Sequence, residues 1–131
     1  MLNPNAQQWL YALRSGDYAQ GFGALKRLNN DNPEFCCLGV ACDLYLKAVG
    51  GSWVAENFSS QNKVKTIRFI TIEGVQCQGD LPEVVANWLG LVHANGKSDK
   101  YDPLTVLNDS KLLTFTQIAD FIESEPDGLF T

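Results

Sequence analysis

The chain has 131 residues, 45% of them apolar and 19% charged with both signs represented, which suits one folded domain spanning 1–131 and leaves no comfortable room for two. A net charge of −5 and a pI near 4.7, with no cluster of lysine or arginine, argue against nucleic-acid backbones as partners, and the carboxylates are too sparse for a DNA mimic. Met1-Leu2-Asn3-Pro4 has no basic stretch before an apolar run, so no secretory signal is expected, and no apolar stretch is long enough for a membrane span.

Asn3 followed by Pro4 predicts a helix start, an N-cap side chain and then a proline whose missing N–H is harmless at the first helical position. Ala6, Trp9, Leu10 and Leu13 recur at helical spacing over residues 4–15, and Gly16 ends the run. Residues 17–35 carry Gly21, Gly23 and the polar run Asn29-Asn30-Asp31-Asn32-Pro33. They read as a loop with a helical turn near Ala24 to Leu28.

The stretch from Phe35 to about residue 49 reads as a central, nearly buried helix closed by Gly50-Gly51 in a left-handed conformation. Three of the four cysteines lie in it, at 36, 37 and 42, and inside so apolar a run they read as reduced, packed thiols. Only Gly39, Asp43 and Lys47 break the apolar coverage, and their four-residue spacing stacks them in one stripe. Something must approach that stripe closely, either the rest of the protein or a ligand.

Val64 to Ile72 is β-branched and aromatic with basic residues interleaved, and Glu73-Gly74 predicts a turn into a short strand through Val75 and Cys77, making a β-hairpin within 53–79. Asp80 with Glu83 reads as a capping box opening a third helix, with Leu81, Val84, Val85, Trp88 and Leu89 on one face and Gly90 at its end. Residues 92–103 read as a polar loop. Thr114 with Gln117 is a second capping box, and Phe115, Ile118, Ala119 and Ile122 form the inner face of the last helix. The expected fold is α+β: a central helix surrounded by the first, third and last helices, with the hairpin at one side.

Four segments recur together in a known pattern: Trp9-x3-Leu13-Arg14-Ser15-Gly16-x-Tyr18-x-Gln20-Gly21-x-Gly23-x-Leu25; Phe35-Cys36-Cys37-Leu38-Gly39-Val40-x-Cys42-Asp43; Leu81-Pro82-x2-Val85-x2-Trp88-Leu89-Gly90-Leu91; and Leu107-Asn108-Asp109 before Phe115-x2-Ile118-Ala119-Asp120-x-Ile122-Glu123. On these the chain resembles a family of small hypothetical proteins of tailed bacteriophages, including cyanophages, and of prophages. The resemblance covers nearly everything outside 53–79. It implies a viral or mobile-element origin and a protein working in the host cytoplasm. The expected role is an accessory one, host takeover or inhibition of host defence by binding a host protein or a small signalling molecule.

The rival expectation is a papain-like thiol hydrolase or transferase. Cys36 or Cys37 at a helix N-terminus would gain acidity from the helix dipole, and His93 with Asn95 follows in the matching chain order. No metal is expected, because adjacent thiols on a helix point apart, and Cys37 and Cys42 share no face. No cofactor is expected either. Gln20 to Arg27 has two glycines and two cations that suit an anion cradle, but lacks the signature of a nucleotide loop.

Two further sets are candidates for binding. Asp43, Asn108, Asp109 and Asp120 either fix loops against the central helix or line a small polar pocket at the Gly39 face. An unpaired Asp43 would be costly, so it must reach solvent, pair with Lys47 or accept backbone N–H groups. Lys63, Lys65 and Arg68 tint the hairpin positive, with Phe69, Ile70 and Ile72 as apolar contact area for a partner.

Overall fold

The computed structural model describes residues 2–55 and 64–131. Among these, the first helix α1 (Pro4–Ser15) starts where the sequence places it. The Asn3 side chain accepts the Ala6 N–H at 2.8 Å, and Gly16 closes the helix at φ 81°. Its buried stripe, Ala6, Trp9, Leu10, Ala12 and Leu13, follows the helical period.

The next segment departs from expectation. Residues 24–35 hold no helical turn. They form the hairpin of β1 (Lys26–Asn29) and β2 (Asn32–Phe35), and Lys26 pairs with Phe35. Asn30 and Asp31 make its two-residue turn with φ 51° and 67°, the backbone of the preferred right-twisting hairpin turn, which asparagine and aspartate tolerate. Pro33 fits because β2 is an edge strand, where a missing N–H removes no ladder bond.

α2 (Cys37–Ala48) is the central helix, starting two residues later than its apolar run. Cys36 is the N-cap, its sulfur accepting the Gly39 N–H at 3.4 Å. The helix closes on Val49, φ −120°, whose N–H reaches Tyr45 O. Gly50 and Gly51 follow at φ 137° and 130°, positive but beyond the left-handed helical well that the paired glycines suggest.

The expected hairpin is three strands of a larger sheet: β3 (Ser52–Ala55), β4 (Val64–Ile70) and β5 (Gln76–Cys77). The sheet is antiparallel in the order β2-β1-β4-β3, and β5 pairs with β4 beyond the end of β1. The registers put Phe35, Lys26, Ile67, Phe69, Trp53 and Cys77 on one face. That face meets α2 through a chain of edge-to-face rings: Tyr18 on Phe35, Phe35 on Trp53, Trp53 on Phe69, Phe69 on Tyr45.

α3 (Glu83–Leu89) has no capping box. Its N-cap is Pro82, and Glu83 is its first residue. Leu81 is drawn into the core with its N–H on Ala94 O, and the residue before a proline avoids helical geometry, so the helix cannot begin at Asp80. Val84 lies outside the buried face, at 36% exposure, while Leu81, Val85 and Leu89 are buried. A helix absent from the sequence reading, α4 (Leu104–Asp109), follows the 92–103 loop. α5 (Phe115–Glu123) opens on the capping box of Thr114 and Gln117, with Phe115, Ile118, Ala119 and Ile122 inside.

The protein is thus α+β, with α2 at its centre. The helices packed on α2 are α1, α3 and α4, whereas α5 lies mainly against α1 and α4. α4 takes the neighbouring place expected of the last helix. No described helix is long and apolar enough to cross a membrane.

Candidate functional site

The stripe on α2 is filled by the protein's own chain. A Cβ built on Gly39 would stand 1.6 Å from the Leu25 carbonyl oxygen and 2.6 Å from its carbon. The same oxygen accepts the Cys36 N–H at 3.2 Å. The start of β1 therefore lies directly on α2, and no polar pocket opens at Gly39.

One turn on, Asp43 is held by side chains from three elements. Tyr18 donates its hydroxyl to Oδ2 at 2.6 Å, Trp53 donates its indole N–H to Oδ1 at 3.2 Å, and Lys47 Nζ stands 3.1 Å from Oδ2. Burial pushes the Asp43 pKa up, but the donors from Tyr18, Lys47 and Trp53 together outweigh it and hold the carboxyl below its ordinary range. Tyr18 is shifted up by burial first and by its bond to Asp43 second, so its phenol is not an activated one. Of the three options for Asp43, pairing with Lys47 holds, and side chains replace the expected backbone donors.

Asn108 is wholly buried on the last turn of α4 and uses all of its hydrogen-bonding capacity. Its Oδ1 accepts Gln20 Nε2 at 3.0 Å and Cys37 N at 3.2 Å, while its Nδ2 donates to Gly21 O at 2.9 Å and Asp109 Oδ1 at 2.8 Å. One amide thereby ties the loop after α1 to the start of α2. Asp109 sits beside it. Asp120 does not join this group, and pairs at the surface with Arg14 at 2.7 Å. The four polar residues thus form three separate structural clusters.

The thiol set is not assembled either. Cys36 is 3% exposed, and burial pushes its pKa up to about 12, outweighing the backbone donors at the helix start. Cys37 and Cys42 are also raised, by burial first. Cys37 donates its S–H to Leu104 O at 3.8 Å, and its backbone carbonyl accepts the Trp9 indole. His93 is exposed on the 92–103 loop, and Asn95 Oδ1 accepts the Lys97 N–H in a local turn. No hydrogen bond links either residue to a thiol among the described residues. The same residues contain no group of three His, Cys, Asp or Glu close enough to hold a metal ion.

The basic candidates part company for a geometric reason. Lys65 and Arg68 are three apart on β4, so the two-residue period puts them on opposite faces of the sheet. Arg68 donates to Gln76 across the strand pair. Lys63 lies outside the described residues. The cations of the supposed anion cradle are also engaged. Lys26 stands over the rings of Phe35 and Trp53 at 5.2 and 5.3 Å, and Arg27 bonds Glu34 at 2.6 Å and Phe22 O at 3.1 Å.

Tyr18 and Trp53 complete the Asp43 network and are absent from the candidates drawn from sequence, and Gln20 enters there only as the start of the anion cradle. The unpaired acid on an apolar helix signals that partners exist, yet those partners lie 25 and 10 residues away. Residues 1–126 match the family described as Domain of unknown function (DUF8296). The chain belongs to that family. No curated protein and no solved structure matches it.

Proposed function

We propose that this member of DUF8296 is an accessory protein of tailed phages and prophages that works in the host cytoplasm by binding a host protein, in host takeover or in inhibition of a host defence. The observation that carries the reading is the internal use of the groups on and around α2. The central thiols are buried and raised in pKa, Asp43 and Asn108 are saturated by neighbours, and the Gly39 face is closed by Leu25. A thiol hydrolase needs an ionisable, reachable cysteine with a base beside it. A small signalling molecule bound at the Gly39 end of the stripe would need space that Leu25 occupies. A protein partner needs only surface. The origin of the reading in phage biology rests on the sequence resemblance and not on the fold.

Affinity capture from host cells, set beside iodoacetamide labelling of the native protein, tests this. The expected result is one host protein recovered in stoichiometric amount and slow labelling of Cys36, Cys37 and Cys42. Rapid alkylation of Cys36 or Cys37, with loss of all activity in the matching alanine variant, would promote the thiol enzyme instead.

A further inference from the structure

The turn after β4 is built to hold its outer side chains still. Thr71, 4% exposed, donates its N–H to Val75 O at 2.9 Å, accepts the Gly74 N–H on its carbonyl at 2.9 Å and takes the Val75 N–H on Oγ1 at 3.0 Å. Gly74 supplies the positive φ of 91° that closes the turn. The turn shows Glu73 and two aliphatics to solvent, Ile72 at 66% exposure and Val75 at 52%. Facing it, the start of α3 shows the outward Val84, with Pro82 buried at its base. Between the two walls runs an open groove of about 410 Å³ with an apolar floor. Its charged lining residues are Glu73 and Glu83, neither of which has an ion-pair partner among the described residues, and no lysine or arginine lines it.

Resting on the binding reading above, we infer that this groove is the contact site for a basic amphipathic segment of the partner protein, whose aliphatic side chains sit against Val75, Pro82 and Val84 while its lysines or arginines meet Glu73 and Glu83. Charge complementarity selects that occupant. A second copy, with net charge −5, would bring acid against acid, and an anionic lipid surface would be repelled by the same rim. An open cleft also leaves most of a small molecule in water, whereas a chain segment needs only a rigid wall and an anchor.

Three twelve-residue peptides test this by NMR titration of the full-length protein: one alternating leucine and lysine, one alternating leucine and glutamate, and one alternating serine and lysine. The first should shift the resonances of Thr71, Val75, Val84 and Asn87 saturably, and the other two should not. Val75→Ser and Val84→Ser, each checked for an unchanged spectrum elsewhere, should weaken it about tenfold, the loss of one buried aliphatic contact. Glu73→Gln with Glu83→Gln should weaken it several-fold and flatten its salt dependence. Binding of all three peptides alike, shifts centred elsewhere, no saturation at millimolar peptide, or dimerisation of the free protein through Val75 and Val84 would each overturn the inference. A host protein captured equally well by wild type and Val84→Ser sinks the groove while leaving the binder reading intact. Failure to capture any host protein sinks the binder reading itself, whatever the peptides do.

Discussion

The stripe on α2 and the groove beside α3 are opposites in the use of residue type. α2 and its stripe hold the groups associated with chemistry, thiols near the helix start and a carboxylate with a tyrosine and a lysine, and these are spent on packing or on a neighbour's hydrogen bond. The groove presents two valines and two glutamates on its rim, all of them exposed, over a floor that includes the buried Pro82. The thiols of α2 therefore belong to the interior of this protein, and the two valines of the groove to its surface. Burial, not residue type, separates the two regions.

The comparison breaks most directly at Gly39. A methyl group there meets the Leu25 carbonyl, and backbone cannot swing aside as a flexible side chain does. Gly39→Ala should therefore cost about 3 kcal/mol or more, read as a drop in the urea midpoint. A wild-type midpoint would mean that the stripe is open after all. Asn108→Ala comes next. It takes the side-chain partner from the Cys37 N–H and the Gly21 carbonyl in a buried setting, and should cost about 3 kcal/mol. Equal melting of variant and wild type would show that water replaces the amide.

These two regions also explain what the sequence made legible. Asn3, Pro4, Gly16, Thr114 and Gln117 act within one helical turn of themselves, so their roles were readable from spacing. Gly39 announced a close approach for the same reason, since a glycine inside an apolar helix needs a cause. β1 and β2 were not readable as strands because their stability comes from pairing β1 with β4, some forty residues on. α4 is a single short helix whose buried Asn108 is fixed by residues 20, 21 and 37. Its bonding is long-range, and no local pattern encodes it. Lys65 and Arg68 looked like one patch only while the pleat of β4 was out of view.

The thiols of α2 should matter less to stability. Cys42→Ala should lose about 1 kcal/mol through packing alone. Cys36→Ser should lose less than Cys36→Ala, because a serine oxygen can still accept the Gly39 N–H. The Cys36 pKa is raised from 9.0 to about 12, so its stabilising contribution is complete below pH 9 and is lost as pH rises toward 12, where the unfolded chain ionises first. Denaturant midpoints measured across that window should fall, and fall less for Cys36→Ala. Asp43 works in the opposite sense. Its carboxyl is held below the ordinary range, so its contribution is present above that range and disappears as pH drops through the folded value. Asp43→Asn should flatten the acid limb of the same curve.

The smallest effects belong to the groove, and their smallness is the point. Ile72, Val75 and Val84 remain 66%, 52% and 36% exposed, so replacing any one by serine removes only part of a side chain's transfer free energy and should cost less than about 1 kcal/mol. Val84 is the most covered of the three, so Val84→Ser should be the costliest. A loss above about 1 kcal/mol at Val75 or Val84 would mean that these side chains support the fold, and the division between a committed interior and a free surface would fail at the place where it matters for recognition.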